Sequence, residues 1–288
     1  MRIKMSESFT SVETNQELRQ GDIIKQNPNR KNKRAQWGFV LTADCDIAQK
    51  KSGTNYSWLE IIPAMEYLEN IWCEEQLRKF SAKYSTYCLD KINSIIRKNH
   101  QKLSELSHSN LCEWLLEKSA SEILNLIYPK DKKIEEKLES TLKGIELSIR
   151  PPKKNRLHTL CQCWEIVGID KKTQESRIRE YLNSSDGFPD FFVVPEIPGE
   201  DDFCFIILLR SISTTKSNLI FNSELEEKIV GQKNSFHRIG RFNDNLRYAV
   251  VQKFSFLFSR IGMPAPFEKV SGEAADILIE KIFPKEIR

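Results

Sequence analysis

The sequence predicts an α+β protein in which a small β-barrel is interrupted by a helical insertion. Short apolar segments with the length and composition of strands occur at 21–62 and again at 191–209. Between them, apolar residues recur at steps of three and four, which is the period of amphipathic helices. Because short strands are stable only when they share a sheet, we expect the strands on the two sides of the helical block to pair with one another.

Three strands are predicted before the block. The first begins at 21–24, and a polar loop rich in Asn, Lys and Arg follows at 26–34. The segments 39–41 and 58–62 are compact and apolar, and Pro63 ends the second of them. Three short strands that follow one another so closely indicate a meander.

The block is predicted to be mainly helical from 64 to 185. One long amphipathic helix, or two in succession, explains its first apolar stripe, which consists of Leu68, Ile71, Trp72, Phe80, Tyr84, Leu89, Ile92, Ile95, Ile96 and Leu103. Shorter helices are predicted at 110–117, 121–128, 132–143 and 173–182. So many apolar positions exceed what one small barrel can cover, so we expect a protein partner or a second copy of the chain to contact the block, with Trp114 in the contact.

The β pattern returns after the block. Strands are predicted at 191–194 and at 204–209, and the second is expected to be central because it is almost continuously apolar. A helix capped by Asn243 or Asp244 and ended by Gly262 follows. The predicted domains are therefore a discontinuous barrel with its closing helix at 16–63 and 186–262, a helical insertion at 64–185 and a C-terminal docking helix at 263–288.

Composition places the chain among soluble globular proteins. Hydrophobic residues make up 40% and charged residues 29%, and the net charge is +4, with its basic excess in the first half. No run of 18 apolar residues occurs and the first residues lack an apolar segment, so we expect no membrane span, no signal peptide and a cytoplasmic location. Seven cysteines without regular spacing favour reduced thiols over a disulfide framework.

No cofactor is predicted. The chain lacks the glycine-rich phosphate loops, the His-Glu-x-x-His helix, the Gly-x-Ser-x-Gly turn and the EF-hand loop. His158, Cys161 and Cys163 form a metal-like cluster, but their spacing fits no standard zinc site. We therefore interpret them as core residues and expect no metal.

Five short strings occur in the order found in a known family. They are Gly21-Asp22-Ile23, Phe39-Val40-Leu41-Thr42, Leu208-Leu209-Arg210-Ser211-Ile212, Arg238-Ile239-Gly240-Arg241 and the helix that ends at Ile261-Gly262. In this order they resemble the PemK/MazF-like toxins, which are small SH3-like barrels that cut RNA. The chain departs from the pattern where the toxins carry an Arg-Pro, because Arg34-Ala35-Gln36-Trp37-Gly38 stands there. The insertion has no counterpart in the minimal toxins.

The resemblance implies a bacterial toxin or phage-defence protein that binds RNA and cleaves it without metal. A substrate 2′-hydroxyl would attack its own phosphate, Arg241 or Arg34 would stabilise the developing charge, and Thr42 would position the phosphate. The string from Thr42 to Asp46 also resembles an element of larger, defence-linked bacterial proteins. The alternative, which the missing Arg-Pro favours, is a non-catalytic adaptor or regulatory subunit that binds a partner protein through the insertion.

Asp44 and Asp46 follow an apolar strand, at a position where scaffolds commonly display reactive groups. On a continuing strand they would share one face, while Cys45 would point to the core. Two carboxylates on one face can act as a general base or hold a divalent cation, which makes both candidate catalytic residues. The alternative is that they cap a turn.

A basic loop with interleaved aromatic residues is the candidate RNA-binding surface. Its residues are Lys31, Lys33, Arg34, Trp37 and, from the second β region, Arg238. Guanidinium groups match phosphate oxygens, and aromatic rings stack on unpaired bases. The alternatives are core packing of the aromatic residues and pairing of the arginines with Asp244 or the acidic turn at 200–202. His237 is a candidate general acid or base.

Overall fold

A computed structural model describes residues 8–10, 12–13, 15–28, 34–51, 53–99, 104–128, 134–183 and 190–259. Its strands are β1 (Phe9–Thr10), β2 (Asp22–Gln26), β3 (Gln36–Val40), β4 (Asn55–Pro63), β5 (Phe191–Val194), β6 (Phe205–Lys216), β7 (Ile220–Phe221) and β8 (Phe236–Phe242). Its helices are α1 (Asp44–Ala48), α2 (Ala64–Tyr67), α3 (Cys73–Asn99), α4 (His108–Glu117), α5 (Ala120–Ile127), α6 (Glu136–Ile149), α7 (Arg156–Ile166), α8 (Lys171–Asn183), α9 (Glu224–Val230) and α10 (Asp244–Ser259). Among these helices, none is long and apolar enough to cross a membrane. The predicted docking helix at 263–288 lies outside the described residues.

All of these strands belong to one sheet. Its hydrogen-bonded order is β1-β8-β2-β3-β4-β6-β5, and β7 pairs with β8 beyond this path. The pairs are antiparallel except for β7 with β8. β2 and β6 therefore share a sheet although the insertion separates them, which confirms that prediction and the α+β class.

The sheet is open among the described strands. β1 and β5 end the hydrogen-bonded path and do not pair with each other. The closed barrel that the sequence predicted is therefore not what these strands form. In the inner order β8-β2-β3-β4-β6, the strands β2, β3 and β4 form a meander, and β8, the last of these strands in the chain, pairs with β2. An SH3-like identity for these five strands stays a prediction.

β6 is longer than predicted. Its first half, from Phe205 to Leu209, carries the buried apolar run and lies between β4 and β5. Its second half alternates exposed and half-buried residues and continues the pairing with β4 as far as Lys216. The hydrophobic pattern did not predict this half as a strand, because its Ser and Thr residues form no apolar stripe and therefore resemble a loop.

The two faces of the sheet are covered differently. On one face, α10 contributes Val250 and Leu257 to a cluster with Ile23, Phe39 and Phe242. On the other face, residues of β2, β3, β4 and β8 pack with the segment before β2, in a cluster of Ile24, Val40, Trp58, Phe236 and Leu18. The first cluster confirms the apolar stripe predicted for the helix after Asn243.

The helical block has its own core, which is continuous with the sheet. α3, α6 and α7 pack against one another around Phe80, Leu142 and Leu160. Phe191 of β5 joins this cluster, and so does Ile206 of β6. A turn of π-helix at Leu68–Trp72 joins α2 to α3, so the long predicted helix is interrupted near its start. The block is thus packed onto the sheet and shares its apolar interior.

Candidate functional site

Two of the five strings, Gly21-Asp22-Ile23 before the insertion and Arg238-Ile239-Gly240-Arg241 after it, meet in a buried ion-pair cluster. Asp22, at the start of β2, is fully buried and lies opposite Arg241 of β8. Its carboxylate accepts hydrogen bonds from Arg241 Nε at 2.5 Å and Nη2 at 3.0 Å, and from Arg238 Nη1 at 3.4 Å. Both arginines also donate to the backbone carbonyl of Glu17, and Arg238 donates to that of Glu13. We call Asp22, Arg238 and Arg241 the Asp22 clamp, because it ties the segment before β2 to β8.

The clamp leaves little of either guanidinium for a ligand. The Arg238 side chain is 2% exposed and the Arg241 side chain 13% exposed. Buried charges are tolerated only when they are paired and hydrogen-bonded, and Asp22 supplies that pairing. The predicted role of Arg241 in catalysis and of Arg238 in RNA binding would therefore require the clamp to open.

Arg247 of α10 is held next to the clamp. A Cβ at Gly21, whose φ is +89°, would lie 2.8 Å from Cγ and Cδ of Arg247, so only glycine leaves room for this side chain. The guanidinium lies 2.8 Å from Asp44 Oδ2 and 3.0 Å from Asp244 Oδ1, and it stacks on Tyr248. Burial lowers the pKa of Arg247, but the hydrogen bonds that its guanidinium donates to Tyr248 and Asp44 raise this pKa on balance. Gly21 is thus a packing requirement of the site.

Thr42 and Asp44 lie at this end of the sheet, where both hold the backbone. Thr42 Oγ1 accepts a hydrogen bond from the Ser57 backbone N–H at 2.8 Å, which joins the end of β3 to β4. Asp44 Oδ1 accepts one from the Gln20 backbone N–H at 2.8 Å. These contacts give both residues a structural role, and a catalytic role for either stays a prediction.

The strand assumed for Asp44 and Asp46 is a helix, α1. Successive side chains on a helix are about 100° apart, so the argument that placed the two carboxylates on one face does not hold. Cys45 is exposed, and the prediction that it points to the core is wrong. Its Sγ lies 3.6 Å from Asp46 Oδ1, in a surface contact.

The candidate catalytic residues are not brought together. Arg34 precedes the first residue of β3, whereas Thr42 follows its last residue, so the two lie at opposite ends of the strand. Arg34 Nη1 lies 2.9 Å from Glu66 Oε2. The Arg34 side chain is 76% exposed. Lys31 and Lys33, which were predicted to bind RNA beside it, lie outside the described residues.

A row of three side chains crosses the sheet on one face. Trp37 of β3 lies opposite Lys25 of β2, and Lys25 lies opposite His237 of β8. Residues directly opposite in antiparallel strands share a face. Glu200, in the turn before β6, accepts hydrogen bonds from Lys25 Nζ at 2.6 Å and from Trp37 Nε1 at 3.0 Å. We call Trp37, Lys25 and His237 the cross-strand row.

A carboxylate orients the histidine of this row. His237 Nδ1 lies 2.6 Å from Glu227 Oε2 of α9, and both side chains are largely buried. His237 also lines a cleft of about 550 Å³, together with Lys25, Glu200 and Ser223. A histidine with one ring nitrogen held by a carboxylate offers the other nitrogen for proton transfer. The cleft is therefore lined by an imidazole and by an ammonium group that is paired with Glu200.

The sequence identified two members of this site and missed three. Trp37 and His237 were candidates, whereas Lys25, Glu200 and Glu227 were not. A signal for Glu200 was the acidic turn at 200–202, which was expected to pair with an arginine and pairs with Lys25 instead. Glu227 had no sequence signal, because α9 reaches His237 only through the pairing of β7 with β8.

A second cleft lies in the helical block. It has a volume of about 910 Å³ and is lined by residues of the π-helical turn, α3, α4 and the end of α6. Ile71, Leu77 and Ile149 contribute apolar surface, and Ile71 is exposed within it. Arg78 and Glu74 add charge of both signs. We call it the block groove.

Three of the five cysteines of the block are buried. Burial raises the pKa of Cys73, Cys88 and Cys163 to about 12, so these thiols are protonated at neutral pH. Cys163 packs in the core as predicted, whereas His158 of the same cluster is exposed. Within the described residues, no group of three or more His, Cys, Asp or Glu is placed to hold a metal ion.

Comparison with protein-family models, with curated proteins and with solved structures found no match for this chain. The resemblance to the PemK/MazF-like toxins therefore stays a prediction from the sequence.

Proposed function

We propose that this protein acts on RNA as a bacterial toxin or phage-defence protein, and that RNA is bound in the cleft at the cross-strand row. The observation that carries the proposal is the His237–Glu227 contact of 2.6 Å in a cleft that also contains Lys25. Cleavage at a 2′-hydroxyl needs a group that takes a proton and a cation for the phosphate. In this proposal His237 and Lys25 supply them.

The proposed step uses no metal. The 2′-hydroxyl of the substrate attacks the adjacent phosphorus while His237 Nε2 takes its proton. The bond between phosphorus and the 5′-oxygen breaks, the leaving 5′-oxygen takes a proton from water, and a 2′,3′-cyclic phosphate results. Glu227 keeps Nδ1 engaged and so acts as a positioning residue. Lys25 would stabilise charge on the phosphate oxygens once Glu200 releases it, and Trp37 would stack on a base.

Incubation of purified protein with labelled single-stranded RNA in EDTA tests this proposal. The wild type should yield ends with 2′,3′-cyclic phosphate, and His237→Gln should lower the rate about 10²-fold or more. His158→Gln is the matched control, because His158 is exposed on α7 and should leave the rate unchanged. Intact RNA in the presence of folded wild-type protein would sink the catalytic proposal.

The second candidate function is a non-catalytic adaptor, and the Asp22 clamp favours it. Arg238 and Arg241, two of the predicted phosphate contacts, are engaged inside the protein. The block groove supplies an apolar surface for a segment of a partner protein, with Ile71 exposed in it. In this case the protein would regulate or recruit a partner of the toxin or defence type.

The adaptor proposal predicts a complex that depends on the groove. Ile71→Asp should weaken association with the product of a neighbouring gene, or self-association, in sedimentation analysis. Leu126→Asp is the matched control, because Leu126 is exposed on α5 and does not line the groove. Trp114, which was expected in the contact, is half-buried against the block's own core, so Trp114→Glu should disturb the fold as well. Equal behaviour of the two variants would contradict a role for the groove.

A further inference from the structure

A small hollow on the helical block is surrounded by cations. It has a volume of about 100 Å³ and lies where α3 meets α7 and α8. Lys79 and Lys83 of α3 and Arg177 of α8 line it, and the Gln76 side chain adds a further donor. Three cationic side chains and one amide side chain therefore line a space of a few water volumes.

Two of the three cations that line the hollow contact aromatic rings. The Arg177 guanidinium lies 5.3 Å from the centre of the Trp164 ring, and Lys83 Nζ lies 5.5 Å from that of Tyr84. Cation–π contacts of this kind fix the position of long side chains that would otherwise move freely. The site is thus partly preorganised for an anion.

The positive surface continues along α3. Lys91 and Lys137 lie 5.8 Å and 5.2 Å from the centre of the Tyr87 ring. Two of these cations are paired with carboxylates, Lys79 with Glu75 and Lys91 with Glu135. The other three, Lys83, Lys137 and Arg177, form no salt bridge with the described residues, and the lysines on α3 are spaced by one or more helical turns.

We infer that this face, which we call the α3 basic face, binds the phosphates of single-stranded RNA, with one phosphate in the hollow. The inference rests on the proposed RNA-directed function and adds a binding site away from the cross-strand row. Cations spaced along a helix suit the regular charges of a nucleic-acid backbone, and aromatic edges beside them suit bases. In this inference the α3 basic face and the residues predicted on the sheet both contribute to the affinity for RNA.

Fluorescence anisotropy with a labelled single-stranded RNA at several salt concentrations tests the inference. Because each cation–phosphate contact contributes about 0.7 to the slope of log affinity against log salt, the double variant Lys83→Gln with Arg177→Gln should lower the slope by about 1.4. Its affinity should fall roughly tenfold or more. Arg177→Lys keeps the charge and should retain the slope.

Lys172→Gln is the matched control, because Lys172 lies on the same helix as Arg177 but is turned about 140° from it. An unchanged slope in the double variant, an equal loss in the control, or displacement of the RNA by an acidic peptide at equal charge would overturn the inference. If RNA is bound with the expected salt slope but is not cleaved, the proposed cleavage is wrong and the α3 basic face stands. If RNA is cleaved but the double variant does not change the salt slope of binding, the α3 basic face is wrong and the proposed cleavage stands.

Discussion

Asp22→Asn should destabilise the protein more than any exposed carboxylate change. The substitution keeps the shape of the side chain but removes the negative charge that Arg238 and Arg241 share in the buried clamp. Removal of one partner from a buried ion pair leaves charge without compensation and costs about 3–5 kcal/mol. With a slope of roughly 3 kcal/mol per molar urea, the unfolding midpoint should fall by about 1–1.7 M.

Urea unfolding followed by tryptophan fluorescence measures this effect, and Glu66→Gln is the matched control. The Arg34–Glu66 pair has the same chemistry but is exposed, with side chains 76% and 32% accessible, so its loss should cost less than about 1 kcal/mol. If the two variants lose similar stability, the clamp is screened by solvent, and the argument that its arginines are structural is wrong. Arg241 would then be restored as a candidate for phosphate contact.

Three further predictions concern other parts of the molecule. Glu200→Gln should strengthen RNA binding roughly tenfold, because it removes a carboxylate that competes with the RNA phosphate for Lys25. The repulsion between this carboxylate and a nearby phosphate is worth about 1.5 kcal/mol. An unchanged anisotropy titration would argue against RNA at the cross-strand row. Gly21→Ala should lower the free energy of unfolding by about 1–3 kcal/mol, since a Cβ meets Arg247 at a left-handed φ; wild-type stability in urea would contradict this. A thiol reagent at pH 8 should label Cys45 in the native protein and Cys88 only after unfolding, because burial raises the pKa of Cys88 to about 12. Mass spectrometry of the labelled peptides measures this, and rapid labelling of Cys88 in the native protein would show that its thiol is not protected by burial.

Local elements were predictable where the apolar pattern is strong. The strand at 191–194 matches β5, the segment 39–41 overlaps β3, and the apolar stripe after Asn243 matches α10. The prediction failed at 44–48, where a short helix without a capping side chain follows β3. A segment this short carries too few residues for a period to be read, so the strand assumed for Asp44 and Asp46 was not excluded.

The candidate site was less predictable than the elements. Each member of the cross-strand row occupies its own strand, and the row exists only because Lys25 pairs with Trp37 on one side and with His237 on the other. A shift of one residue in either pairing would move a side chain to the opposite face. Register depends on contacts between distant parts of the chain, which the local pattern does not contain.

The sequence alone determined the α+β class, the helical block between two β regions, and the expectation that those regions share a sheet, because hydrophobic period and strand length are local properties. Only the tertiary structure decided what the charged residues do. Arg238 and Arg241, which look like phosphate ligands in the sequence, both pair with Asp22 from the other side of the insertion. Whether a cation is open to a ligand depends on which carboxylate lies within hydrogen-bonding distance, and that is a property of the folded chain.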